Sequence, residues 1–282
     1  MTDLPYMSTE PQVRVKFWGV RGSIPVAAYD FLGCGGNTTC VELRIGSAVL
    51  IIDAGTGIRK LGMELQRELA GAKLSVDLLL THFHWDHIQG LPFFTPLYSP
   101  DSEVRFYSTR PASELRELLE GEMSHPYFPV SFELLPAKRG FIDITKQCVN
   151  IPNCCVHPFP MNHPQGATGF RVEAGSRVIT HASDLEHGNP EFDKILREYA
   201  QDSDVLIYDA QFTPDEYPSR KGWGHSTWLE ATRVAQECNV KRLVLFHHDP
   251  GHEDAMMVDI VTQARKYFEK TQAAQEGMEI IV

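Results

Sequence analysis

Apolar and polar positions alternate along this chain in two rhythms. Period-two or uninterrupted apolar runs predict strands at residues 13–18, 40–44, 49–53, 76–80 and 103–107, the second and third joined by the turn-forming Gly46-Ser47. The same signal returns at 149–157, 169–173, 177–181, 205–208, 242–246 and 277–282. Helical spacing falls between the strands. Apolar residues at 58, 61, 65 and 69 predict a helix over 56–69, and others are predicted over 113–119, 190–199, 226–238 and 254–268. From Gly121 to Gly140 neither rhythm holds, and that stretch is expected to be an ordered loop or a lid. There is no sequence repeat and no low-complexity linker. Two strand-rich halves with helices to cover them predict an α/β chain of four layers, α/β/β/α, formed as a single domain over 1–282.

Composition narrows the function classes. Lys and Arg number 26 against 37 Asp and Glu, a net charge of −11, which argues against a protein that coats nucleic acid. No apolar run approaches the roughly 18–20 residues of a membrane span, so no membrane partner is expected. Residues 1–12 are polar and proline-bearing, with neither a basic leader nor an apolar h-region, so they are not read as a signal peptide. The cysteines at 34, 40, 148, 154, 155 and 238 form no CxxC pair and read as reduced thiols in a cytoplasmic protein, Cys154 and Cys155 as partly buried residues on a strand. The informative residue is histidine, twelve in number and unevenly spread.

Thr81-His82-Phe83-His84-Trp85-Asp86-His87 follows the apolar strand ending at Leu80, in the kind of loop where α/β proteins place their chemistry. Four ligand-type side chains in six residues cannot all face one ion. In an extended loop His82 and His84 project to one side, while Asp86 and His87 begin a turn and face another way. That suits two adjacent metals, and imidazole with carboxylate favours Zn2+, with Mn2+ or Fe2+ as alternatives.

These residues match the HxHxDH signature of the metallo-β-lactamase fold, and the resemblance extends over nearly the whole chain. It implies a four-layer α/β/β/α sandwich and further site residues. Asp53 resembles an upstream aspartate that orients a ligating histidine. His163 resembles the third histidine, Asp184 the carboxylate shared by two metals, and His247 the last ligand. The resemblance thus implies one divalent ion on His82, His84 and His163 and another on Asp86, His87 and His247, with Asp184 and a solvent molecule shared. His247 is preferred to the adjacent His248 because it directly follows the apolar strand. His125, His157, His181, His187 and His252 are expected to be ordinary polar or surface residues.

Gly222-Trp223-Gly224-His225-Ser226-Thr227 resembles the GHST segment of ribonuclease Z and related phosphodiesterases. This branch implies a phosphodiesterase in which Asp86, His225 and Asp209 serve catalysis. His225 would supply positive charge or a proton to the scissile phosphate, and Asp209, in a DAQF segment that departs from the family's pattern, would hold its imidazole. The other reading of His225 is a residue at a helix N-terminus, with Ser226 or Thr227 as the cap. Relatives that process tRNA carry a long basic arm between the third histidine and the shared aspartate, where this chain has only Arg171 and Arg177 as cations. The expected substrate is therefore a small phosphodiester or nucleotide such as a cyclic nucleotide, not a long nucleic acid. The alternative is a ribonuclease Z-like endonuclease of RNA 3′ ends. Tyr127, Phe128, Phe212, Tyr217 and Trp223 are candidates to stack a base, and residues 123–130 to form a lid supplied across a homodimer interface.

Overall fold

The computed structural model describes residues 12–68, 71–145 and 148–282. The first eleven residues, and Leu69 at the end of the first expected helix, lie outside that set. The first half runs β1 (Val13–Gly19), β2 (Cys40–Ile45), β3 (Ala48–Ile52), α1 (Ile58–Glu68), β4 (Leu74–Leu79), α2 (Trp85–Ile88), β5 (Ser102–Ser108), α3 (Ala112–Glu122) and β6 (Lys138–Asp143). The second runs β7 (Val149–Ile151), β8 (Cys154–Met161), β9 (Ala167–Ala174), β10 (Arg177–Ala182), α4 (Pro190–Ala200), β11 (Val205–Asp209), α5 (Tyr217–Arg220), α6 (Trp228–Glu237), β12 (Leu243–Phe246), α7 (Asp254–Ala264), β13 (Thr271–Ala273) and β14 (Glu279–Ile281).

Two seven-stranded sheets result, ordered β14-β1-β2-β3-β4-β5-β6 and β13-β12-β11-β10-β9-β8-β7. Each holds four strands paired antiparallel and continues with three more in parallel, the change falling at β3 in one and β10 in the other. The halves thus share a plan that no sequence repeat announces.

Burial follows the four layers. Leu50 and Ile52 of β3 face the other sheet, while Val49 and Ile51 face α1, so every side chain of this short strand is buried. Between the sheets Phe17 meets Phe246 with ring centroids 5.9 Å apart. Ile58, Leu61 and Leu65 of α1 and Leu115 and Leu119 of α3 cover the first sheet; Leu196, Val234 and Ile260, from α4, α6 and α7, cover the second. The expected metallo-β-lactamase α/β/β/α sandwich is what the chain forms.

Three local expectations differ from the structure. The expected strand 149–157 is a hairpin, β7 and β8, because Pro152-Asn153 makes a turn with Asn153 at φ +68°. The prolines at 158 and 160 then fall beyond the reach of three-residue β7, where a missing N–H costs no ladder bond on that edge. β6 starts inside the stretch expected to be irregular, which ends at Gly140; it is a half-exposed edge strand paired to β5, with Phe141 stacked on Phe106 and little other apolar rhythm. Residues 123–130 fold back on the first helical layer: the Ser124 carbonyl accepts from the N–H groups of Tyr127 and Phe128, and Phe128 packs edge-on against Phe93 at 5.8 Å. That position makes them a cap on the core of their own chain.

Glu122, at the end of α3, carries a testable electrostatic cost. Its Oε2 is buried without a hydrogen-bond partner, and burial pushes its carboxyl up to about 8. The folded state therefore binds the proton more tightly than the unfolded chain. The resulting stability is fully present below about pH 4.5 and is lost as pH rises to about 8, with a slope of up to about 1.4 kcal/mol per pH unit. Glu122→Gln is expected to flatten that slope in denaturant titrations at pH 5 to 8 and to raise stability at pH 8.

Candidate metal centre

The strands of both sheets end at one edge of the sandwich, and three of them end in the same way. Asp53 after β3, Asp184 after β10 and His247 after β12 take left-handed backbone, φ +63°, +64° and +60°. Asp and His tolerate this conformation better than bulky or β-branched residues. Each turn places a polar side chain in the cluster at this edge. The loop after β4 supplies Thr81 to His84, short α2 supplies Asp86 and His87, and the segment after β8 supplies His163.

The side chains gather into two adjacent groups. His82, His84 and His163 offer ring nitrogens that lie within 4.8 Å of one another. Asp86, His87, Asp184 and His247 form the second group, all buried. Asp184 lies between them: its Oδ1 is 3.2 Å from His247 Nε2 and 3.9 Å from His82 Nε2, and its Oδ2 is 3.2 Å from His87 Nε2. Asp86 Oδ2 is 3.2 Å from His247 Nε2 and 3.3 Å from His87 Nε2. His248 turns the other way and bonds the Ala274 carbonyl at 2.9 Å.

Outer contacts fix these rings. Asp53 Oδ2 meets His87 Nδ1 at 2.8 Å, while its Oδ1 accepts from the Thr81 N–H. Gln211 Oε1 meets His247 Nδ1 at 2.8 Å, and the Gly224 carbonyl meets His163 Nδ1 at 2.8 Å. The Ser23 N–H donates to Asp86 Oδ2 at 2.7 Å. Two glycines make room: a Cβ at Gly22 would stand 2.4 Å from the His247 ring, and one at Gly224 (φ +89°) 2.4 Å from His163.

The electrostatics ask for cations. Burial pushes the His87 and His247 imidazoles down, but Asp184 and the neighbouring carboxylates more than offset it: His87 sits well above its ordinary value and His247 at about 9. Burial would likewise raise Asp86 and Asp184, yet the imidazoles beside them hold both well below the usual carboxylate range. In the other group burial, with His87 next, pushes His82 far down, and burial lowers His163. Two buried nitrogens, His82 Nε2 and His87 Nε2, have no hydrogen-bond partner. Unpaired donor atoms converging beside buried carboxylates fit divalent metal ions, and the nitrogen–oxygen set fits zinc.

His225 stands at the rim. Its Nδ1 meets Asp209 Oδ2 at 2.9 Å, and its ring stacks on His247 with centroids 4.9 Å apart. Asp209 is a hub: it also accepts from the backbone N–H groups of Asp184, Gln211 and Ser226. The helix cap is Thr227, whose Oγ1 accepts from the Glu230 N–H, which leaves the His225 side chain free of that duty. Glu186 shapes the loop before His225 by accepting from the N–H groups of Gly222 and Gly224 and from the Tyr217 hydroxyl.

A cavity of about 410 Å³ opens over the centre, lined by Ser23, Phe83, His84, Trp85, Asp86, Asp184 and His225. A second, of about 670 Å³, adjoins it across Phe83 and runs past His82, Thr109, Arg110, Gln165 and Thr168. None of residues 123–130 lines either, so the lid expected from them is not formed within the chain. Phe212 is fully buried under the Arg220 guanidinium, and Tyr217 is spent on Glu186, so neither is placed to stack a base. Of the aromatic rings that do line the mouth, Phe83 and Trp85, the one open to a base is Trp85, 81% exposed, which sequence reasoning passed over inside the histidine motif. Of the other histidines, His181 is buried in the core against Phe246, and His252 is buried against Glu216, so neither is a surface residue. His157 groups with Cys148 and Cys155.

The family model for the beta-lactamase superfamily domain matches residues 49–248, most of the chain and all of the histidine motif. The chain belongs to that superfamily. It is a metal-dependent hydrolase with the metallo-β-lactamase fold. Among its superfamily relatives, ribonuclease Z of Thermoplasma acidophilum is 25% identical over 311 aligned residues, covering 95% of each chain. That alignment is longer than this chain, so the relative carries segments that are missing here. Of solved superfamily structures, the metallo-β-lactamase fold protein YhfI from Bacillus subtilis aligns with a TM-score of 0.73 and 18% identity over 97% of this chain and all of its own. The short form of human tRNase Z aligns with a TM-score of 0.67 and 21% identity, covering 95% and 98%.

Proposed function

We propose that this chain hydrolyses phosphodiester bonds. The observation that carries the reading is the His225–Asp209 pair, set at the mouth of the cluster of histidines and carboxylates. Two divalent ions would be held by His82, His84 and His163 on one side and by Asp86, His87 and His247 on the other, with Asp184 shared; Zn2+ suits these donors best, Mn2+ or Fe2+ less well. Such ions supply positive charge to phosphate oxygens and lower the pKa of water within their reach. Asp209 orients the His225 imidazole through Nδ1 and leaves Nε2 as the nitrogen to meet the phosphate or protonate the leaving oxygen. Asp53 and Gln211 hold His87 and His247 in the orientations that face their nitrogens inward.

For the substrate, the ribonuclease Z relatives support RNA, cut near its 3′ end, and speak against excluding a long nucleic acid. A second reading, a small phosphodiester such as a cyclic nucleotide, rests on charge. Between His163 and Asp184 the chain makes only the hairpin β9–β10. Its Arg171 is engaged by Glu173 and the carbonyls of Tyr199 and Gln201, and its Arg177 pairs with Asp204. The free thiols support a cytoplasmic protein, and Trp85, exposed at the mouth of the cavity, supports a stacking role for the rim.

Metal-loaded protein offered precursor tRNA, cyclic mononucleotides, cyclic dinucleotides, nitrocefin and a thioester decides among these. Salt-sensitive cleavage at the tRNA 3′ end establishes the RNA reading, and turnover of cyclic nucleotides alone establishes the second. Turnover of only nitrocefin or the thioester overturns both. Trp85→Ala is expected to raise KM for a nucleotide substrate about 5- to 100-fold, the value of one stacked base, with little change for bis(p-nitrophenyl) phosphate.

A further inference from the structure

Far along the outer face of the second sheet, three soft or borderline donors meet. Cys155 and His157 alternate on β8 and point outward, while Cys154 and Val156 between and before them enter the inter-sheet core. The β7–β8 register pairs Val149 with Val156, which brings Cys148, just before β7, opposite His157. The Cys148 and Cys155 sulfurs and a His157 ring nitrogen all lie within 4.8 Å of one another. A fourth donor stands beside them. Glu173 on β9 pairs with Cys155 in register, accepts at Oε1 from the Arg171 guanidinium at 2.7 Å and keeps Oε2 3.5 Å from His157 Nε2.

We propose that Cys148, Cys155, His157 and Glu173 form a metal site separate from the hydrolytic centre, selective for Zn2+ or another thiophilic divalent cation. Tetrahedral zinc with sulfur at about 2.3 Å and nitrogen at about 2.0 Å spaces its donors about 3.5–3.8 Å apart. The spacing of Cys148, Cys155 and His157 needs only small side-chain movements to reach that geometry, and Glu173 would complete it by turning Oε2, which already lies beside His157. Two thiols, an imidazole and a carboxylate make a closed four-donor set, the composition of a structural site, and two of the donors are sulfur, which Mg2+ and Ca2+ avoid. Burial and the neighbouring Cys148 thiol push Cys155 up to about 11, so without an ion it stays protonated. Coordination displaces the thiol protons to solvent. The donors come from three places: the segment that leads from the first sheet into the second, β8 and β9. An ion there ties three-residue β7 and that connection to the body of the second sheet.

The test uses cobalt as the probe, because the hydrolytic centre offers only nitrogen and oxygen. Protein loaded with Co2+ is expected to show a near-ultraviolet sulfur-to-cobalt charge-transfer band. Cys148→Ser and Cys155→Ser, both at non-core positions, are expected to abolish it. Each should also lower bound zinc by one ion per chain and leave hydrolytic activity unchanged. His157→Gln should shift or weaken the band. No band in cobalt-loaded wild-type protein, or a band that survives both cysteine substitutions, would overturn the site. So would an intact mass that shows Cys148 and Cys155 joined as a disulfide in the protein as isolated. Activity plays no part in the cobalt readout, so its loss would bear on the phosphodiesterase reading and leave this one standing.

Discussion

Substituting alanine for His225 is expected to lower kcat by about 10²–10⁴-fold, the contribution of a positioned general acid, with bound metal and folding unchanged. The geometry gives this residue a partner of its own beside the two metal groups. Its Nδ1 is bonded to Asp209 at 2.9 Å, and its nearest approach to the shared carboxylate, Asp184 Oδ1, is 4.0 Å. A general acid lost from the rim lowers the rate and leaves KM nearly as it was. Metal analysis of the purified variant is the decisive companion measurement, because Asp184, Asp209, His225 and His247 also lie close enough to hold an ion. If the variant loses an ion along with its activity, His225 belongs with the ligands. Asp209→Asn is expected to be slower too, but less stable as well, since Asp209 also accepts from three backbone N–H groups around the site.

What sequence could show of this site, and what it could not, divides along physical lines. Four of the gathered side chains sit within six residues, and the others end apolar strands, so period and motif expose them. Gln211 and Ser23 escape the same reading. They are neutral polar residues whose importance comes from partners 36 to 188 positions away: His247, Asp86 and each other. Arg21 is the extreme case, a fully buried guanidinium that bonds the carbonyls of Gly35, Asp249 and His252 and so joins loops from both ends of the chain. The fold divides similarly. Strands covered on both faces, such as β3, announce themselves by composition. Edge strands β6 and β13 are short and send only a few side chains inward, Phe141 and Ile142 from one and Ala273 from the other, too few to set a rhythm, and the β7–β8 turn hides inside an apolar run.

Asp184→Asn is expected to have the largest effect of any single substitution. Its carboxylate reaches His247, His87 and His82 at 3.2, 3.2 and 3.9 Å, so it belongs to both metal groups at once. The amide keeps the shape but removes one negative charge and one acceptor oxygen. The hydrolytic centre should hold fewer than two ions, and kcat/KM should fall by more than the about 10–100-fold expected for Asp53→Asn, which acts on the centre by orienting His87. The charge argument has its own readout in protein stripped of metal by chelation. There Asp184 does most to hold the His247 imidazole up at about 9 against burial. A raised imidazole gives stability that is fully present below about pH 6.5 and lost as pH rises through about 9. Melting temperatures of the metal-free protein should therefore decline across that window, and Asp184→Asn should flatten the decline. An unchanged pH dependence in the variant would mean that this carboxylate does not set the charge of the centre, and with it the claim that the site is built to draw in cations would fail.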